Sequence, residues 1–162
     1  MLIYRVETRF CVEDSSESIS KYPSSPYSHT AFPSPDSHVW LQENGINFNS
    51  FCHHFYSPGF RDSNIPTVYE DRGLYSNLKK FYMIERFEGN FSKFLNPFIF
   101  GFESTSAIRR WFIKEERADL EDFGFYVAIY EVPDDHVVLG DKQLLFIREY
   151  AVQTGYMLFS EI

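Results

Sequence analysis

Apolar and polar residues alternate in ways that divide this chain into a weakly patterned first half and a strongly patterned second half. At the start, Leu2-Ile3-Tyr4-Arg5-Val6 concentrates residues suited to a pleated surface and predicts a strand, central in its sheet. Residues 13–37 then lose all periodicity. They are rich in serine and carry four prolines, so they predict a long loop. Tyr22, Tyr27, His29 and Phe32 interrupt it, and loops of this length serve either as linkers or as lids over a binding mouth. Residues 38–70 are irregular, with turn signals at Asn44-Gly45 and Pro58-Gly59.

From residue 74 the pattern sharpens. Leu74, Leu78, Phe81 and Tyr82 recur at three-to-four spacing and predict an amphipathic helix over 74–87, with Asn77, Lys79 and Lys80 toward water. The run 96–102 reads as a short buried strand. Ser104-Thr105-Ser106 after it can accept the free amides of a helix start, predicting a helix over 107–112. A second helix over 114–123 would end at Gly124, which takes a left-handed cap without strain. Phe125 to Val132 is nearly continuously apolar, as in a strand covered on both faces. Residues 136–139 and 143–147 predict a hairpin turning at Gly140-Asp141-Lys142, and 150–159 an edge strand or a segment folded over the core. Together these elements predict one α+β domain over 1–162: a compact, twisted, mostly antiparallel sheet with helices packed on it, and the proline-rich loop crossing one mouth.

Composition refines this picture. The 18 Phe and 11 Tyr favour a core of flat, rigid side chains, some of which would line a pocket. The formal charge of -8 repels phosphate backbones and anionic lipid, which disfavours nucleic acid as a partner, although an acidic surface can also mimic nucleic acid toward a basic protein. Arg109, Arg110 and Lys114 form a small cationic group that reads as a solvated face. Two cysteines outside any CxxC pair predict a reducing compartment, the cytoplasm. Nothing approaches a bilayer-spanning apolar run, and the first ten residues lack the marks of a leader, so no membrane association is expected.

Three short stretches carry candidate chemistry: Tyr4-Arg5 on the first strand, Ser104-Thr105-Ser106 after Phe100-Gly101-Phe102, and Gln143 before Leu144-Leu145-Phe146. In this order they resemble the ADP-ribosyltransferase fold, over about two-thirds of the chain. The resemblance implies an α+β fold of that type binding NAD or a related nucleotide, with Tyr4 and Arg5 at the phosphates and Ser104, Thr105 and Ser106 shaping the nicotinamide pocket. It also implies that Gln143 stands where the family's catalytic glutamate would be, with Asp141 at the preceding acidic position. Arg5 and Gln143 are the catalytic candidates, and an amide at Gln143 offers no full negative charge to a developing cation. The resemblance thus supports binding more than transfer. Glu131 or Glu149 could supply a carboxylate from a neighbouring strand.

The segments YRVE, GFES, RRWF, GFYVAIYEV and GDKQLLF are also similar to small accessory proteins of phages and prophages. This implies a host protein target in the host cytoplasm, and leaves open a second role as a non-catalytic inhibitor of a host defence protein, acting through an acidic and aromatic surface. Cys52-His53-His54 places three potential ligands side by side, but adjacent side chains diverge, so no metal is expected. His29 and His38 flank the proline-rich loop without an identifiable triad, and no glycine-rich phosphate loop is present in the sequence.

Overall fold

A computed structural model of the chain describes residues 1–8, 68, 70–87, 89, 91–122 and 124–162. The serine- and proline-rich stretch 13–37, the turns at Asn44-Gly45 and Pro58-Gly59, and the His29, His38 and Cys52-His53-His54 groups lie outside the described residues. Among those described, the order is β1 (Leu2–Thr8), α1 (Arg72–Phe81), α2 (Ser92–Leu95), β2 (Phe98–Gly101), α3 (Thr105–Trp111), α4 (Lys114–Asp122), β3 (Phe125–Glu131), β4 (Val137–Leu139), β5 (Leu144–Ile147) and β6 (Val152–Met157), with short 3-10 turns at 134–136, 148–150 and 159–161. The class is α+β, with antiparallel sheets and packed helices.

The strands form two three-stranded antiparallel sheets, ordered β1-β3-β6 and β2-β5-β4. A single bridge joins them: Tyr4 N–H donates to the Phe102 carbonyl at 2.9 Å, and Phe102 N–H donates to the Tyr4 carbonyl at 2.8 Å. β1 is thus an edge strand of its three-stranded sheet rather than the central strand expected, since β3 takes the centre; its other side meets only Phe102, just past β2, among the described residues. Glycine is required beside this seam, because a Cβ on Gly101 would stand 2.6 Å from Ile3 Cγ2 and 3.2 Å from the Tyr4 carbonyl oxygen.

One face is shared by both sheets. Ile3, Ala128 and Tyr130 of the first sheet pack with Leu144 and Phe146 of the second, and this face is called the inner face below. On the opposite face of the second sheet, Leu145, Val138 and Phe98 meet Leu74 and Leu78 of α1. The alternation Leu144 inward, Leu145 toward α1, Phe146 inward is the period of two expected of a strand. Much of the aromatic content gathers around α1 and α2: Phe81 meets Phe98, Tyr82 meets Phe94, and Phe87 meets Phe91 and Phe94, all edge to face. Such pairs contribute about 0.5–1.5 kcal/mol each beyond burial.

Most sequence expectations locate real elements. Ser104 caps α3, its Oγ accepting from Ala107 N–H at 3.2 Å, and Gly124 is left-handed at φ 82°. The hairpin of β4 and β5 turns where predicted, and β6 is the other edge strand of its sheet. The predicted 74–87 helix differs: it begins earlier and stops at Phe81. Met83 takes the left-handed conformation (φ 53°), Ile84 N–H donates to the Lys79 carbonyl and Met83 N–H to the Lys80 carbonyl, both at 3.0 Å. This is the hydrogen-bond pattern of a Schellman terminus, with methionine where glycine is usual. Apolar spacing continued through Tyr82 and Ile84, but backbone closure ended the helix. Asn77 is half-buried rather than turned to water, because its Nδ2 donates to the Leu139 carbonyl at 2.9 Å.

Candidate functional site

The strand register sets which side chains meet. Residues directly opposite one another on paired strands project from the same face. Three rows therefore run across the first sheet on the inner face: Ile3 to Tyr130 to Gln153, Arg5 to Ala128 to Tyr156, and Glu7 to Tyr126. Arg5 and Glu7 are two residues apart on β1, which places a cation and an anion side by side on the face that also carries the core residues Ile3 and Ala128.

Glu7 is fully buried and is the centre of a polar cluster. Its Oε1 accepts from Arg5 Nε at 2.9 Å and from an Arg148 guanidinium nitrogen at 2.8 Å, while its Oε2 accepts from the Tyr130 hydroxyl at 2.7 Å. Arg148 also donates to the Tyr130 hydroxyl, and its guanidinium carbon stands 4.4 Å from the centre of the Tyr130 ring. Arg5 reaches across the seam to donate to the Phe100 carbonyl. The cluster thus ties β1, β2, β3 and the turn after β5 through charge-assisted bonds, the stronger kind inside a protein.

Burial, reinforced by the Glu7 charge and opposed by Arg148, holds the Tyr130 phenol well above its ordinary pKa of 10.0. A raised folded-state pKa means that the proton is held more tightly in the folded chain than in the unfolded one. The stability it contributes is complete below pH 10 and is lost as pH rises from there toward the folded value. In an alkaline titration followed by phenolate absorbance, Tyr130 is expected to ionise only as the protein unfolds, and Tyr130→Phe to remove that late step.

A second anchor positions the loop before Gln143. Asp71, buried, caps α1 through Leu74 N–H at 2.9 Å and also accepts from the backbone N–H groups of Asp141 (2.9 Å) and Lys142 (3.1 Å). The tie is reciprocal, since Gly73 N–H donates to Asp141 Oδ2 at 3.0 Å. The loop closes with Gly140 N–H donating to the Gln143 carbonyl at 2.9 Å.

The sequence-predicted residues fall as follows. Tyr4 is in the bridge to Phe102, Arg5 lies next along β1 in the Glu7 cluster, and the Gly101–Leu144 pair brings β5 beside β2. Gln143, one residue before that pair, is buried, so the strands bearing Arg5, the serine turn and Gln143 are immediate neighbours. Arg5 is on the inner face, Ser104 Oγ is engaged in its helix cap, and Gln143 is buried just ahead of β5. Thr105 is partly buried and Ser106 exposed.

Glu7, Tyr130, Arg148 and Asp71 were not singled out from sequence. A signal for Glu7 existed, because the period of two puts it on the face of Ile3 and Arg5. No local pattern reveals that residues 130 and 148 join it.

A separate hollow of about 600 Å³ is lined by Ile84, Glu85, Arg86 and Phe94, none of them a predicted site residue. Among the described residues, no group of three potential ligands could hold a metal, and no helix is long and apolar enough to cross a membrane.

Fold and site define a class: an α+β protein of two bridged antiparallel sheets, with a buried arginine–glutamate–tyrosine cluster on their shared face. The chain belongs to the Bacteriophage T4 Y00F protein family, whose model matches residues 1–160. It is similar to the uncharacterized 19.7 kDa protein of the motB-dexA intergenic region of Enterobacteria phage T4, at 32% identity over 168 residues covering 97% of this chain and 98% of that protein. No solved structure matches the chain.

Proposed function

We propose that this chain is a NAD-type nucleotide-binding protein of ADP-ribosyltransferase-like organisation, directed at a host target during phage infection. The observation that carries the reading is the seam: through the Tyr4–Phe102 bridge and the Gly101–Leu144 pair, the strands bearing Arg5, the Ser104–Ser106 turn and Gln143 are neighbours. Membership of a phage family is consistent with a host target.

The reading is of binding more than transfer. The position before Leu144 carries an amide, which lacks the carboxylate charge that would stabilise an oxocarbenium ion. Calorimetry with NAD is expected to show binding, and Arg5→Lys, which keeps the charge beside Glu7 but loses the planar fork, to weaken it roughly tenfold. A silent wild-type titration overturns the reading. A host lysate incubated with tagged NAD is expected to show little labelling. NAD-independent capture of one basic host protein, with no NAD binding, would favour the inhibitor role instead.

A further inference from the structure

We infer that the corner spanning residues 109–114 is a docking surface for an acidic protein segment with an apolar residue at its centre, an assignment independent of nucleotide binding. Here α3 ends and α4 begins. Phe112, at the C-cap of α3, is buried on an extended backbone, and the chain passes through Ile113 directly into α4. Arg109, Arg110, Ile113 and Lys114 are all exposed, Ile113 at 59%. None of the three cations has a hydrogen-bond or ion-pair partner among the described residues, in a chain that carries 23 Asp and Glu against 15 Lys and Arg. Glu116, in the first turn of α4, does not neutralise them, because its Oε2 accepts from the Ile113 N–H at 2.9 Å.

Helix electrostatics accounts for only part of this arrangement. Arg109 and Arg110 stand in the last turn of α3, where cations offset the partial negative charge of the terminus. Lys114 is the reverse case. It is the first residue of α4, where the partial positive charge of the terminus disfavours an ammonium group. A lone exposed apolar side chain is ordinary on a protein surface, but Ile113 sits among three unpaired cations. An apolar centre within a charged rim is the layout of a protein interface. Its complement is a segment with carboxylates around one apolar side chain, and exposed guanidiniums take carboxylates in paired hydrogen bonds. A phosphate backbone would match the charge and leave Ile113 uncovered.

The test is calorimetry at low salt with a glutamate-rich peptide bearing one central leucine, the all-glutamate peptide and a thymidine oligonucleotide. The wild type is expected to bind the leucine-bearing peptide most tightly. Changing Arg109, Arg110 and Lys114 together to alanine should weaken both peptides roughly tenfold or more, as the loss of three exposed ion pairs would. Ile113→Ala should weaken the leucine-bearing peptide alone, roughly fivefold, to the level of the all-glutamate one. Because all four residues are exposed, both variants should melt close to the wild type, which separates lost docking from lost fold. A wild type that binds neither peptide, or binding that survives the triple substitution, overturns the proposal. Tighter binding of the oligonucleotide than of the leucine-bearing peptide assigns the corner to nucleic acid, and salt-sensitive self-association lost in the triple variant assigns it to a second copy; either result also overturns it. The NAD titration is unaffected by these outcomes, so the two readings stand or fall separately.

Discussion

Replacing Glu7 with alanine is expected to lower the stability of the fold by about 3–5 kcal/mol, the usual cost of removing one partner from a buried ion pair. The residue is completely buried, and three donors lose this acceptor at once: Arg5 Nε, an Arg148 guanidinium nitrogen and the Tyr130 hydroxyl. For a chain of this size the loss corresponds to a fall in melting temperature of about 10 °C or more. Glu7→Gln keeps an oxygen acceptor but loses the charge, so it should fall between alanine and wild type. A melting temperature for Glu7→Ala within a degree or two of wild type would mean that the cluster contributes little to holding the sheets together.

Asp71→Ala should be the second large loss. Here one buried carboxylate serves three backbone amides, those of Leu74, Asp141 and Lys142. Losing a helix cap costs about 0.5–2 kcal/mol, and stranding further partly buried donors costs about 1–3 kcal/mol each. A total of about 3–4 kcal/mol, read from the urea midpoint, is the expected result. Asp141→Ala is the internal comparison, because its carboxylate accepts from the Gly73 amide in an exposed setting. If the two variants lose the same amount, the loop before Gln143 is not held by Asp71 in the way the geometry implies. The glycine at 140 belongs to the same arrangement, since a Cβ there would stand 2.6 Å from the Gln143 carbonyl oxygen and 2.7 Å from Asp71 Oδ2.

Sequence reading succeeded where the physics is local. The strand Phe125–Glu131 was legible because a continuous apolar run of that length suits a strand covered on both faces, and α3 because Ser104 could cap it. It misjudged the end of α1, where side-chain spacing favoured another turn and the left-handed Met83 closed the helix. In the site, the sequence indicated Arg5 and the order of the three stretches, and their strands are adjacent. The Glu7 cluster escaped because its members come from positions 5, 7, 130 and 148, which only the pairing of β1 with β3 and the close of β5 brings together. Asp71 escaped for the same reason: as a helix cap it is a local feature, but its hold on residues 141 and 142 spans some seventy positions.

The pairing of Leu2–Thr8 with residues 125–131 also has a bearing on biosynthesis. A ribosome adding roughly 5–20 residues per second needs on the order of ten seconds between making the first of these strands and finishing the second. Through that interval the edge of the opening strand that β3 later covers is available to other chains, and the nascent polypeptide has reason to engage the chaperones of the cell in which it is translated.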